Sequence, residues 1–175
     1  MVVGMLACAP GIVGAEERAH DNVVFVNPAL APFGYFSCGL ERVFRERASV
    51  AVGGSYFTFI DPEAYSAGLW VQPHFYFGRY PAPRGPYVAP YVQYGFFTHQ
   101  GRGPQAGEYY NGYSYEGGAT AGWAFQPGPA NARVLLNLKL GLGLGYRLAQ
   151  YDDTTPNNAF SGLVPTADLK VGAAF

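Results

Sequence analysis

Residues 134–148 alternate strictly between two kinds of side chain, and this period of two is the feature that most restricts the fold. One face is large and apolar: Leu136, Leu138, Leu140, Leu142, Leu144, Tyr146 and Leu148. The other face is small or polar: Asn137, Lys139, Gly141, Gly143, Gly145 and Arg147. A helix repeats about every 3.6 residues, so this segment predicts a β-strand. The segment is longer than a usual strand of a globular protein. Its length suits a strand of the roughly 9–11 residues that cross a bilayer, which favours a leucine row that faces lipid.

The end of the chain follows the same pattern up to its last residue. One face carries Ala167, Leu169, Val171, Ala173 and Phe175, and the other carries Asp168, Lys170, Gly172 and Ala174. This ending resembles the C-terminal signal of bacterial outer-membrane proteins, whose last strand finishes in Phe. The resemblance implies that Leu169, Val171, Ala173 and Phe175 are read by the barrel-assembly machinery.

The remaining strand candidates differ in strength. Residues 66–78 and 113–125 alternate clearly, residues 49–60 and 87–99 less cleanly. Residues 22–30 and 34–44 are the weakest and fit either two strands or one long bent strand. We therefore predict an all-β fold, an antiparallel up-and-down transmembrane β-barrel of about eight strands, with seven as the other count. An even number places both chain ends on the same side.

Composition excludes several classes of protein. Charged residues make up 13% and aromatic residues 17%, and the net charge of −1 provides no basic footprint for nucleic acid. No run of 18 apolar residues is present, which argues against a transmembrane helix. A transmembrane β-barrel needs no such run, because alternate residues of each strand face the lumen and can be polar.

The first fifteen residues, MVVGMLACAPGIVGA, are small and apolar, with Val13 and Ala15 suited to signal-peptidase cleavage. We predict a signal peptide over residues 1–15, lacking a basic start, and one barrel domain over residues 16–175. The alternative is a buried first element of a cytosolic domain. If Cys8 leaves with the signal, Cys38 has no partner and no disulfide framework exists.

The connections predict an orientation. Short links are expected near 31–32, at 45–48, at 81–86 and at 127–131, a medium one at 61–65, and longer loops at 100–112 and 151–162. With the C-terminus in the periplasm, the longer loops face outward, as in outer-membrane barrels. They would then meet an unknown extracellular ligand.

Six charged residues fall on the inward face of the predicted strands. An eight-stranded barrel leaves room inside only for side chains, so buried charges must pair. We expect a lumenal network that fills the barrel, with a gated ion path as the alternative; its members are Glu41, Glu116, Lys139, Arg147, Asp168 and Lys170.

No pattern indicates a catalytic, cofactor or metal site. His20, His74 and His99 stand in unrelated segments without metal-ligand spacing. Pro28, Pro73 and Pro90 fall inside predicted strands, where each removes a ladder hydrogen bond. They indicate either bulges or a lateral opening for lipid, a use of strand prolines also found in lipid-A-palmitoylating barrels.

Beyond residue 20 the chain resembles an uncharacterised family of small outer-membrane β-barrel proteins, similar in architecture to OmpA- and OmpX-type barrels. The resemblance rests on Val23–Pro28, Gly39–Phe44, Gly53–Tyr56, Tyr91–Gly95 and the terminal Phe175. It implies a bacterial outer-membrane location and brings no activity or cofactor. The leading hypothesis is a structural or surface-interaction barrel that is not an enzyme. The alternatives are a lipid-handling barrel or enzyme with access near Pro73 and Pro90, and a soluble ligand-binding barrel with the faces reversed.

Overall fold

The computed structural model describes residues 21–58, 65–100, 109–128, 132–150 and 156–175. Within the strands, the side chains of 99–100, 109–110, 147–150 and 156–160 lie outside that description. Eight strands follow one another along the chain: β1 (Asn22–Val26), β2 (Tyr35–Arg45), β3 (Ala48–Thr58), β4 (Tyr65–Tyr76), β5 (Gly85–Gln100), β6 (Tyr109–Phe125), β7 (Val134–Gln150) and β8 (Pro156–Ala174). A single 3-10 turn, Ala31–Phe33, lies between β1 and β2.

The strands form one closed antiparallel barrel in which each pairs with its neighbours in the chain. β1 closes the barrel against β8, with Val23 opposite Ala174. The backbones of Asn22 and Phe175 exchange hydrogen bonds of 3.2 and 2.9 Å, so both chain ends meet at one end of the barrel. We call this the near end and the opposite one the far end. The predicted eight-stranded up-and-down fold, with residues 22–44 divided into two strands, is confirmed.

The register fixes the width of the barrel. A line of cross-strand partners that starts at Val24 reaches Leu163 on β8 after one circuit. Val24 itself pairs with Ala173, ten residues further along β8. Eight strands with this shift tilt about 40° from the axis and enclose a backbone radius of roughly 8 Å, which leaves the interior to side chains.

Alternation along each strand separates an apolar outer face from a polar inner face. On β7 the leucines from Leu136 to Leu144 are exposed on the outside, and Asn137 and Lys139 point inward. Glycines on the inner face leave space for large rings: a Cβ on Gly122 would collide with the Tyr87 ring, and one on Gly143 with the Tyr91 hydroxyl. On β7 the leucines therefore cover the outer face, and the glycines leave space for side chains on the inner face.

Several predicted boundaries are wrong. β5 continues to Gln100, β6 begins at Tyr109 and β8 begins at Pro156, so strand takes up both ends of the predicted loop 100–112 and residues 156–162 of the predicted loop 151–162. The far-end links are 27–34, 59–64, 101–108 and 151–155, and the near-end links are 46–47, 77–84 and 126–133. Apart from 46–47 the two sets are similar in length, so the predicted difference between long outer loops and short turns is absent. Backbone pairing continues through residues that lack an apolar alternation, which is why the sequence pattern misplaced these ends.

The prolines fall in two different settings. Pro28 lies beyond the end of β1, which corrects its placement inside a strand. Pro73 and Pro90 do lie in β4 and β5, on the outer face. The β4–β5 pairing runs from Tyr65–Thr98 to Val71–Val92, stops, and resumes at Phe75–Val88. The register thus places the two prolines opposite each other in the interrupted stretch.

Among the described residues, no helix has the length and apolar character needed to traverse a membrane.

Candidate functional site

The near half of the lumen contains a compact polar cluster centred on Glu41. One carboxylate oxygen, Oε1, accepts hydrogen bonds from the Ser49 hydroxyl at 2.5 Å and from the Tyr76 hydroxyl at 2.7 Å. His74 Nδ1 lies 3.0 Å from the same oxygen. All four side chains are buried. A buried carboxylate with three such partners is stabilised where an isolated one would cost several kcal/mol.

Strand register assembles this cluster. Ser49 and His74 are direct cross-strand partners on β3 and β4, and Tyr76 is the next inward residue after His74. Glu41 lies on the adjacent strand, β2, opposite Ala51. The Tyr87 ring of β5 packs 4.6 Å from the His74 ring and 5.3 Å from the Tyr76 ring, measured between centroids. Tyr76 and Tyr87 are each 2% exposed, so these rings close the near half of the lumen.

His74 has one ring nitrogen without a partner. Nε2 is buried and has no hydrogen bond to any described atom. The ring lines a small cavity of about 10 Å³ together with Lys170 and Asn137, enough for one water molecule. Ser49 is 0% exposed and its hydroxyl hydrogen points to Glu41, so the serine is neither accessible to a substrate nor activated by His74. The cluster has the chemistry of a structural plug rather than that of a hydrolytic triad.

Two lysines share one carboxylate further along the lumen. Asp168 Oδ2 lies 3.3 Å from Lys139 Nζ and 3.4 Å from Lys170 Nζ. Its other oxygen accepts a hydrogen bond from the Asn27 amide. The Lys170 ammonium also lies 4.2 Å from the ring centroids of Phe25 and Trp70, which stack on each other. This arrangement satisfies Lys170 through an ion pair and two cation–π contacts.

The far half of the lumen is not filled. It contains a cavity of about 240 Å³ whose wall combines charged and polar side chains with apolar ones, lined by Leu30, Tyr35, Ser37, Trp70, Gln72, Tyr91, Gln93, Glu116, Lys139, Val164, Pro165, Thr166, Ala167, Asp168 and Lys170. Glu116 accepts a hydrogen bond from the Tyr91 hydroxyl, which also lies 3.2 Å from Thr166 Oγ1. The expected filled interior is therefore limited to the near half.

Comparison with protein families adds one finding. Residues 5–162 match the family described as "Protein of unknown function (DUF3575)", about nine-tenths of the chain. The chain belongs to this family. No curated protein and no solved structure matched the chain. The match confirms an uncharacterised family and identifies no enzymatic one; the resemblance to outer-membrane barrels stays a prediction.

The structure brings together half of the six lumenal charges singled out in the DUF3575 chain. Asp168, Lys139 and Lys170 form one group. Glu41 is paired with His74 and two hydroxyls, and Glu116 with the Tyr91 hydroxyl. The Arg147 side chain lies outside the described residues.

The other predicted positions lie on the outer face. The leucine row is 36% exposed at Leu136 and 68% at Leu144, with Leu138, Leu140 and Leu142 between. At the C-terminus, Leu169, Ala173 and Phe175 are exposed and Val171 is half-buried. Nothing in these contacts tests their role in assembly. The predicted signal peptide, 1–15, lies outside the described residues.

Sequence reasoning missed the partners that organise the lumen. The sequence pattern does not place His74 beside Glu41, and it does not single out Asn27 or Tyr91. The available signal was the cross-strand register, which places Ser49 opposite His74.

In the described part of the chain, no three His, Cys, Asp or Glu side chains are grouped to hold a metal ion, and Cys38 is a free, exposed thiol.

Proposed function

We propose that this chain is an outer-membrane barrel that crosses the bilayer with all eight strands and acts as a structural or surface-interaction protein. The observation that carries the proposal is the distribution of side chains between the two faces. Large apolar residues cover the outside, and the charged side chains Glu41, Glu116, Lys139, Asp168 and Lys170 turn inward, as expected of a wall that faces lipid. The outward-facing charges in the described strands, Arg42 and Arg45, lie at the near end of β2. The soluble alternative needs the leucine row inside, whereas Leu140 and Leu142 are 61% and 62% exposed.

Aromatic residues at both ends of the outer face support the same proposal. Exposed rings at the near end are Phe44, Phe75, Phe77, Trp123, Phe125 and Phe175, and those towards the far end are Tyr56, Tyr94, Tyr113, Tyr115 and Tyr146. Valine and leucine occupy the zone between them. Two aromatic girdles around an aliphatic belt are the pattern of transmembrane barrels.

The far end is the natural place for contact with an outside molecule. The near half of the lumen is closed by the Glu41 cluster and the Tyr76 and Tyr87 rings. The cavity of about 240 Å³ lies in the far half and is lined in part by Leu30 of the β1–β2 link. With the chain ends on the periplasmic side, this cavity and the far-end links face outward.

Membrane fractionation tests the proposal directly. We expect the expressed protein to stay in the carbonate-insoluble outer-membrane fraction and to migrate faster on gels before boiling than after it. This shift reports a closed barrel that resists detergent. A carbonate-soluble protein without a mobility shift would contradict the membrane location and favour the soluble barrel.

One observation favours lateral lipid access as a second candidate function. The β4–β5 ladder is interrupted where Pro73 and Pro90 face each other, so the wall lacks backbone hydrogen bonds at that height. Gln72 and His74 lie on the inner face of the same stretch, and both are buried. A lipid that entered here would meet polar groups.

Mass spectrometry of lipid A from cells with and without the protein tests this second candidate. A changed acyl pattern that disappears in the P73V/P90V variant would support lipid modification at the gap. An identical pattern in all three strains would leave the structural role as the only candidate. Both valines restore a backbone donor and suit an outward strand position.

A further inference from the structure

The near end of the barrel is rich in arginine. Six arginines lie in its strand ends and links, and all but the half-buried Arg84 are exposed: Arg42, Arg45, Arg47, Arg79, Arg84 and Arg133. The described acids at this end are Asp21 and Glu46. Both lysines of the chain, by contrast, point into the lumen. The basic surface of this protein is therefore made of guanidinium groups alone.

Two neighbouring links bring four of these arginines together. The Tyr76 amide donates to the Arg47 carbonyl at 2.9 Å, and the Ala82 amide donates to the Glu46 carbonyl at 2.6 Å. These bonds tie the β2–β3 turn to the β4–β5 link. Arg45 and Arg47 consequently share one surface with Arg79 and Arg84, and we call these four residues the arginine cluster.

A tyrosine holds part of the arginine cluster in place. Arg79 Nη2 donates to the Tyr80 hydroxyl at 2.8 Å, and its guanidinium carbon lies 4.9 Å from the Tyr80 ring centroid. The guanidinium of Arg84 lies 5.7 Å from the same centroid. Packing against a ring reduces the entropy that an arginine loses when it binds, so the cluster is partly preorganised.

Three guanidiniums of the arginine cluster have no ion pair among the described residues. They are those of Arg45, Arg47 and Arg79, and the described carboxylate beside them is that of Glu46. Like charges held close together repel, and an anion relieves that repulsion. Guanidinium binds phosphate through two parallel hydrogen bonds, a geometry that ammonium cannot offer.

The position of the arginine cluster identifies the source of the phosphate. Phe44 and Phe77 lie beside it on the outer face, at the near-end aromatic girdle that marks the membrane–water boundary. Phospholipid headgroups lie at that height. A barrel inserted from the side of its chain ends needs to carry only the far-end links across, so the near end stays in the periplasmic leaflet.

We infer that the arginine cluster binds the phosphate groups of anionic phospholipid in the leaflet next to the chain ends. The inference rests on the proposed membrane function. It adds a ligand class and a defined site. Lipid charge then helps to fix the orientation of the barrel, in addition to the thickness of the bilayer. Basic residues at a membrane surface gain affinity for anionic lipid additively, and they lose it at high salt.

Native mass spectrometry of the refolded full chain tests the inference. The protein in micelles receives equal amounts of phosphatidylglycerol and phosphatidylcholine with identical acyl chains. We expect retained phosphatidylglycerol to exceed phosphatidylcholine at least tenfold. The R45Q/R47Q/R79Q variant should lose this preference and retain the two lipids in about equal amounts.

The matched control is E46Q, which removes the acid of the same turn and should keep or raise the preference for phosphatidylglycerol. An unchanged preference in the triple variant would overturn the inference. A third arm adds lipopolysaccharide: retention that exceeds phosphatidylglycerol and depends on the same arginines would refute the phospholipid source. Gel mobility before boiling shows whether the inference fails alone or together with the proposed function. A protein that shows the mobility shift but no lipid preference contradicts the inference alone. A wild-type chain that shows no mobility shift contradicts the proposed function too.

Discussion

Replacing Leu140 by arginine should lower the free energy of unfolding in lipid by about 2–4 kcal/mol. Leu140 is 61% exposed and lies in the middle of the leucine row on β7. If the outer face meets hydrocarbon, the new guanidinium must either lose its hydration or draw water and headgroups into the membrane. A urea titration of the protein refolded into vesicles, followed by gel mobility, measures the change.

The control for this substitution is Val134→Arg, on the same outer face at the near-end start of β7. Val134 is 48% exposed, and an arginine there reaches the headgroups, so the expected cost is about 0–1 kcal/mol. If water met this outer face instead, both positions would be ordinary surface sites, and each change would stay within about 0.5 kcal/mol. Equal effects of L140R and V134R would therefore count against a lipid-facing leucine row.

The sequence predicted most reliably those strands whose two faces differ in chemistry. In β7, leucine alternates with glycine or lysine, so period, face and length follow from the residues alone. The division of residues 22–44 stayed open in the sequence, and the structure separates the two strands by the 3-10 turn Ala31–Phe33. The start of β8 did not follow, because Asn157, Asn158 and Gly162 resemble a loop in composition. Pairing with β7 determines their conformation instead.

The contacts inside the lumen were only partly accessible from the sequence. Alternation places Glu41, His74 and Asp168 on the inner face, but it leaves their neighbours undetermined. Those neighbours depend on register across several strands, since Lys139 and Asp168 are direct partners on β7 and β8 while Asn27 approaches from the link that follows β1. A one-residue slip would turn every such pair outward. The far-half cavity depends on side-chain volumes at several heights, for which no sequence period exists.

Replacing Asp168 by asparagine should destabilise the barrel by about 3–5 kcal/mol, because two ammonium groups then share the lumen without their common carboxylate. Lys139 and Lys170 are 12% and 6% exposed at the side chain, so water screens their repulsion poorly. Asparagine keeps the size of the side chain, which limits the change to charge. The same urea titration measures the loss, and it should shift the midpoint without changing the slope.

Two further variants separate charge from packing in this prediction. Glu116→Gln should cost less than about 1 kcal/mol, because the new amide oxygen still accepts the Tyr91 hydroxyl and the group lines the far-half cavity. D168N/K170M should recover at least half of the loss caused by D168N. The methionine keeps the contacts with Phe25 and Trp70 and removes one of the two positive charges that repel each other.

If D168N were no more harmful than E116Q, the lysines would be stabilised by the rings and by Gln72 rather than by their shared carboxylate. If the double variant showed no recovery, the damage would lie in the hydrogen bond from the Asn27 amide, which a neutral amide oxygen accepts more weakly than a carboxylate in both variants.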